Sequence, residues 1–116
     1  MRTMNLNDKY FGPVMAGLKV NTIRLGDKQV SLGRLGFDPA DNLDLDSIGV
    51  EVFAVVKKYF CDLDENDAQG GGYTSKHEMI REIQEIYKLD IAAFAPMTVV
   101  WFTYTPETIE DDCEDL

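Results

Sequence analysis

The chain is poor in the residues that most often mark a metal site or a disulfide framework. Its 116 residues contain one histidine, His77, and two cysteines, Cys61 and Cys113. A zinc or iron site needs several such ligands close together. Two cysteines far apart in the sequence, one of them in a polar tail, are more typical of reduced thiols than of a disulfide scaffold. We therefore expect neither a metal nor another cofactor.

Long hydrophobic runs are also missing, and basic residues are outnumbered. No apolar stretch approaches the roughly 20 residues that span a membrane, and the first residues lack the apolar segment of a signal peptide. These absences predict a cytoplasmic protein with no membrane partner. Lys and Arg number 11 against 21 Asp and Glu, so the formal net charge is -10. Such a charge disfavours a polyanionic ligand, because nucleic-acid-binding domains are usually basic.

Much of the negative charge is concentrated at the C-terminus. After Pro106 there are six acids and no base: Glu107, Glu110, Asp111, Asp112, Glu114 and Asp115. We predict one domain over residues 1–105, which is long enough for one core, and an acidic, mobile tail over residues 106–116. The acidic surface could dock onto a basic protein partner, which is the weakest of three interpretations of function.

Hydrophobic periodicity predicts an α+β fold in which helices and strands are both well represented. The predicted elements are a short helix around Gly12 and Pro13 that ends at Gly17, strands over residues 21–25, 34–37, 49–60 and 97–102, a short acidic helix within 62–69, and a longer helix over 75–87. Ser75 and Glu78 have the spacing of a capping box at the start of the longer helix. The strand over 49–60 should be central, and three consecutive glycines at 70–72 predict either a tight loop or a flexible hinge that connects the helices.

Residues 17–24 bring polar groups together where the first helix ends and a strand begins. Lys19, Thr22 and Arg24 supply an ammonium, a hydroxyl and a guanidinium within six residues. By strand alternation Thr22 and Arg24 share one face, whereas Ile23 points to an apolar face. Two interpretations follow from these residues alone: solvated charges on a strand edge, or a polar pocket.

The pattern Gly17-x-Lys19-x-x-Thr22-x-Arg24 resembles the signature of the activating signal cointegrator homology (ASCH) domain. Other stretches agree with that family in order: a turn at Gly33, a long strand from Val50 to Tyr59, Tyr73 and Ser75 opening a helix that ends in Ile86 and Tyr87, and a closing apolar strand from Met97 to Phe102. The resemblance covers about residues 5–104. It implies a small PUA-like β-barrel with two or three packed helices and a cleft lined by Lys19, Thr22 and Arg24.

The resemblance also implies a chemistry, because one bacterial subfamily with a similar motif hydrolyses N4-acetylcytidine. On that basis Thr22 would be the nucleophile and Lys19 its base. Gly17, Arg24 and Tyr73 would help bind the ligand, with Arg24 or nearby backbone N–H groups holding the oxyanion. An uncharged nucleoside suits an acidic protein, since no phosphate has to approach it.

That subfamily uses a glutamate just ahead of the second helix, and the position falls on Gly71 or Gly72 in this chain. Glu65, Asp67 and Glu78 are the nearby acids that could replace it. Loss of a general acid or base typically costs about 10²- to 10⁴-fold in rate. The alternative to an amidohydrolase is therefore a protein that binds such a ligand without hydrolysing it.

The second class of function is a module that binds single-stranded RNA. Its basic patch would consist of Lys19, Arg24, Lys57, Lys58 and Arg34, and its stacking residues would come from Tyr59, Tyr73 and Trp101. Oligonucleotide binding that weakens steeply with salt would favour this class. Salt-insensitive binding of a free modified nucleoside would favour the enzyme.

Overall fold

The computed structural model describes residues 2–88 and 90–106. Cys113 and the acidic segment after Pro106 lie outside the described residues, so the predicted domain boundary and mobile tail stay predictions. Within the described ranges, every helix is too short or too polar to cross a membrane.

Five strands and three α-helices make up the fold. In chain order they are β1 (Thr3–Leu6), α1 (Phe11–Met15), β2 (Asn21–Leu25), β3 (Gly33–Pro39), β4 (Ile48–Tyr59), α2 (Glu65–Gly70), α3 (Lys76–Tyr87) and β5 (Pro96–Tyr104), with 3₁₀ turns at Asp8–Tyr10 and Phe60–Asp62. The strand predicted over 21–25 has the bounds of β2. Strand β1 was not predicted, because four residues are too few to show an alternating pattern.

The strands form one sheet in the order β1-β3-β4-β5-β2, so β4 is central, as predicted. Strands β1 and β3 are parallel, and the other neighbours are antiparallel. The sheet is open where the resemblance implied a barrel, because β1 and β2 stand at opposite ends of the strand order and do not pair. Arg24 crosses from one end to the other, donating from Nη2 to the main-chain oxygen of Asn5 at 2.7 Å. The α+β class itself is confirmed.

Both faces of the sheet carry a hydrophobic core, and β5 contributes to each by alternation. Val100 and Phe102 belong to a cluster with α1 and the strands β1, β3 and β4, whereas Met97 and Val99 belong to a second cluster with α2 and α3. A buried side chain of this size contributes about 1.5–3 kcal/mol. The two clusters therefore fix the sheet between the helices on either side, and β2, beside β5, is held with it.

Helix α3 begins after Ser75, whose hydroxyl accepts a hydrogen bond from the N–H of Glu78 at 3.1 Å. The Glu78 carboxylate bonds the N–H of Thr74 at 2.8 Å, one residue before the position of a regular capping box. The helix ends at Lys88, in the left-handed conformation with φ 56°. Helical spacing predicts Ile86 in one buried stripe with Met79 and Ile83, but Ile86 is 51% exposed whereas the other two are buried.

The glycines at 70–72 form a tightly packed turn, which agrees with the predicted tight loop and not with a flexible hinge. A Cβ atom at Gly70 would lie 2.5 Å from Cζ3 of Trp101 and 2.6 Å from Nδ2 of Asn21. Such distances are far inside van der Waals contact, so no larger residue fits without displacing its neighbours. The absence of side chains here allows close approach between the end of α2 and the sheet.

Candidate functional site

A cleft lies at the gap where β1 and β2 fail to meet. Its volume is about 280 Å³, and its walls come from β1, β2, the 3₁₀ turn at Asp8–Tyr10, the turn before α3, and α3. The residues that carry its polar chemistry are Asn5, Tyr10, Lys19, Thr22, Arg24 and Tyr73. The cleft therefore lies against the face of β2 that carries the side chains of Thr22 and Arg24.

Lys19 is the most enclosed charged group of the cleft, with only 3% of its surface exposed. Its Nζ donates to the main-chain oxygen of Gly71 at 3.2 Å and lies 4.5 Å from the ring centre of Tyr10 and 5.9 Å from that of Tyr73. Burial, followed by repulsion from Arg24 and Lys9, lowers the pKa of Lys19 to about 7. A substantial fraction of Lys19 is therefore an uncharged amine at neutral pH, which is the form that can accept a proton.

Thr22 and Arg24 project from the same face of β2, as alternation predicted. Nε of Arg24 donates to Oγ1 of Thr22 at 3.1 Å. Burial lowers the pKa of Arg24 from its ordinary value, but an arginine stays charged at neutral pH. Because Oγ1 of Thr22 accepts from Arg24, its own hydrogen is left for another acceptor. Across the described residues no hydrogen bond joins Nζ of Lys19 directly to Oγ1 of Thr22.

A second polar cluster closes the rim of the cleft. The Tyr73 hydroxyl donates to Oε2 of Glu82 at 3.4 Å and lies 3.5 Å from the hydroxyl of Tyr10, while Lys9 forms an ion pair with Oε1 of Glu82 at 3.2 Å. Burial raises the pKa of Tyr73, so its phenol keeps its proton at neutral pH. This cluster holds both rings over Lys19, joining the 3₁₀ turn to α3.

Glu82 was missed at the sequence level. The helical pattern assigns it to the polar side of α3, where it is indistinguishable from other solvated glutamates. Tyr10 falls by its spacing on the apolar side of the first helix, which gives no sign of a contact with Tyr73. Nothing in the sequence indicates that these residues, 72 positions apart, meet at one rim.

The structure brings four of the five predicted site residues together: Lys19, Thr22, Arg24 and Tyr73 all line the cleft. Gly17 does not line it. Its φ of 77° lies in the left-handed region that favours glycine, and its N–H donates to the oxygen of Val14 at 3.1 Å. Gly17 thus ends α1 and turns the chain toward Lys19.

The three acids considered as replacements for the absent glutamate are engaged elsewhere. The carboxylate of Glu65 accepts from the N–H of Lys76 at 3.0 Å, and that of Glu78 from the N–H of Thr74. Asp67 pairs with Lys58 at 2.8 Å. None of the three is among the residues that line the cleft.

The basic patch considered for RNA binding is divided between different places. Lys57 pairs with Asp27, and Lys58 pairs with Asp64 and Asp67. Trp101 packs against Gly70 and the second core cluster, outside the cleft. Of the predicted stacking residues, Tyr73 alone reaches the cleft.

Among the described residues, no group of three or more His, Cys, Asp or Glu side chains is arranged to hold a metal ion. His77 is exposed on α3.

Solved structures with this arrangement of strands and helices identify the fold. An ASCH domain from Lactobacillus crispatus superposes with a TM-score of 0.70 at 12% identity, covering 89% of this chain and 79% of that one. A mutant ASCH protein from Zymomonas mobilis gives 0.58 at 13% identity, covering 97% and 78%. The fold is that of the ASCH domains. A protein from Enterococcus faecalis shares this ASCH-type fold, with a TM-score of 0.69 at 13% identity and coverage of 97% and 80%.

No protein-family model and no curated protein sequence matches the chain. At these identities the similarity establishes the ASCH fold alone.

Proposed function

We propose that this ASCH-fold protein binds a free, modified nucleoside in the cleft and hydrolyses an amide on its base, with N4-acetylcytidine as the candidate substrate. The observation that carries the proposal is the burial of Lys19, which is only 3% exposed in the cleft that Thr22 also lines. This burial lowers the pKa of Lys19 to about 7. An uncharged lysine and a threonine in one cleft are the residues needed for a hydroxyl nucleophile and its base.

In the proposed reaction Oγ1 of Thr22 attacks the acetyl carbonyl carbon, and Nζ of Lys19 accepts the Thr22 proton. The new C–O bond gives a tetrahedral oxyanion, for which the Arg24 guanidinium is the nearest fixed positive charge. Collapse breaks the bond between the carbonyl carbon and N4, and Lys19 returns the proton to N4, so that cytidine leaves. Water then hydrolyses the acetyl ester on Thr22 and releases acetate.

These reaction steps do not require the catalytic glutamate whose position is taken by Gly71 or Gly72 in this chain. Lys19 acts first as base and then as acid, which is possible because a group with a pKa near the working pH exists in both forms. Glu82 does not touch the reacting atoms. It positions Tyr73, and the rings of Tyr73 and Tyr10 shield Nζ of Lys19 from water.

The size and charge of the cleft favour a free nucleoside over single-stranded RNA. About 280 Å³ lies near the lower end of the range of about 300–1,000 Å³ for small-molecule sites. Lys57 and Lys58, which an RNA-binding surface would need, are neutralised by carboxylates.

The proposal is tested by incubating the purified protein with N4-acetylcytidine and measuring cytidine release by chromatography. Thr22→Val removes the hydroxyl while keeping nearly the same volume and is expected to abolish release. Lys76→Met, a change on the outer start of α3, serves as the matched control. Wild-type release no faster than that of Thr22→Val would refute the hydrolytic proposal.

A further inference from the structure

Strand β2 has a free edge, and this edge faces the cleft. In an antiparallel pair, alternate residues direct their N–H and C=O groups toward the partner strand, and the others direct them away. Val20 and Gly26 bond to β5, the first through its C=O to Phe102 and the second through its N–H to Pro96. By this alternation Thr22 and Arg24 also bond to β5, whereas Ile23 directs its main-chain groups to the opposite edge.

A contact one step along the strand confirms this direction. The N–H of Leu25, which has the same orientation as that of Ile23, donates to the hydroxyl of Tyr87 on α3 at 3.0 Å. The free edge therefore points toward α3 and the cleft, and Ile23 is one of the residues that line the cavity. Since β2 is the last strand of the sheet, no strand of the part of the chain that the structure describes lies on that side to pair with Ile23.

On the opposite wall of the gap, the main-chain acceptor already has a hydrogen-bond donor. Asn5 of β1 directs its main-chain oxygen into the gap, where it accepts from Nη2 of Arg24 at 2.7 Å. The main chain of Ile23 thus supplies an adjacent donor and acceptor within the same cleft as Lys19 and Thr22. A pair of this kind is complementary to any planar group that carries an acceptor next to a donor.

We infer that the main-chain N–H and C=O of Ile23 bind the base of the ligand, so that the cleft selects nucleobases whose edge carries an acceptor beside a donor, as N3 and the N4 amino group of cytosine do. The inference rests on the proposed function, because it takes the ligand to be a nucleoside. In it, the ligand's base occupies the place that a sixth strand would take beside β2.

The inference predicts how strongly each edge atom of the base matters. Cytidine is the reference probe because it carries no acyl group to hydrolyse. 3-Deazacytidine removes the acceptor opposite the Ile23 N–H, and N4,N4-dimethylcytidine removes the donor opposite the Ile23 C=O. Leaving a buried main-chain group unpaired should weaken binding about tenfold or more for each analogue.

The experiment is a titration of the full chain by calorimetry together with amide hydrogen exchange measured by NMR. Saturating cytidine should slow exchange of the Ile23 N–H about tenfold or more, while the Arg24 N–H, already bonded to β5, is an internal control and should change little. Equal affinity for cytidine and both analogues would overturn the inference, and so would an Ile23 N–H that exchanges as fast with cytidine as without it.

The two proposals fail in different ways. Protection of Ile23 without any cytidine release from N4-acetylcytidine would support the base-binding edge and remove the hydrolytic function. Cytidine release with no protection of Ile23 would leave the hydrolytic function standing and remove the base-binding edge.

Discussion

Two pairs of cationic residues in this acidic protein show opposite environments. Lys57 and Lys58, near the end of β4, each contact a carboxylate, at 2.7 Å from Asp27 and 2.8 Å from Asp67. Lys19 and Arg24 are more deeply buried, yet the partners of their hydrogen bonds are neutral: main-chain oxygens and the hydroxyl of Thr22.

The difference separates basic residues that are paired with carboxylates from basic residues that are held by neutral groups. A buried cation without a carboxylate is costly, because burial is not offset by a counter-charge. The chain has 21 acids, yet no carboxylate lines this cleft among the residues described. We interpret the unfavourable burial of Lys19 and Arg24 as the mark of a binding site, in which oxygen atoms of a ligand would accept hydrogen bonds from them.

The largest expected effect is on activity, which should depend on Lys19 of the buried pair and not on Lys58 of the carboxylate-paired residues. Lys19→Met should lower kcat/KM for cytidine release from N4-acetylcytidine by about 10²- to 10⁴-fold, because the amine that accepts the Thr22 proton is lost. Lys58→Met is the matched change in the paired set and should leave kcat/KM within about twofold. Similar losses in both variants would contradict the distinction.

The pH dependence of stability should distinguish Lys19 from an ordinary lysine. Its folded pKa of about 7 lies below the unfolded value, so between these values the unfolded state binds more protons. The cost of burying the charge is fully present below about pH 7 and is relieved as the pH rises above it. Urea unfolding at pH 6 and pH 9 should show the wild type gaining about 2 kcal/mol relative to Lys19→Met. A constant difference between the two proteins would argue against the lowered pKa.

The paired site should respond in stability and not in catalysis. Asp67→Asn keeps the shape of the side chain but removes the carboxylate that accepts from Nζ of Lys58 at 2.8 Å and from the N–H of Asp64 at 3.0 Å. Denaturant unfolding should show a loss of about 1–3 kcal/mol. Cytidine release, measured well below the unfolding transition, should be unchanged, and a fall parallel to that of Lys19→Met would place Asp67 in the site.

The smallest effect is expected for the exposed ion pair. Lys57 and Asp27 retain 45% and 67% of their side-chain exposure, so water and salt screen their attraction. Lys57→Ala should change the free energy of unfolding by less than about 1 kcal/mol, and by less still at high salt. A larger loss in thermal or chemical unfolding would show that the hydrogen bond of Lys57 to the oxygen of Lys28 matters more than the ion pair.

The local elements of the fold could be predicted from the sequence because their signals are local. Strand β2 follows from alternation, and α3 follows from Ser75 and the spacing of Met79 and Ile83. The positions of Lys19, Thr22 and Arg24 in one cleft followed from the ASCH-like motif. Tyr73 was assigned to the same cleft by resemblance alone.

What the sequence left unpredicted depends on contacts between distant segments. β1 is too short to show a period and is defined by its pairing with β3, about 33 residues away. Glu82 reaches the rim of the cleft only because α3 lies beside Tyr10 and Tyr73. The triple glycine suggested freedom, whereas Gly70 is required by the bulk of Trp101, which belongs to the last strand.

Arg24 is the one described side chain whose hydrogen bonds connect the two ends of the open sheet, to Thr22 on β2 and to Asn5 on β1. The length of the Arg24 side chain therefore sets the width of the aperture between β1 and β2, and its guanidinium places a charge within that aperture. A shorter or uncharged residue at this position would change the width and the charge of the aperture together, so neither property can be changed here without the other.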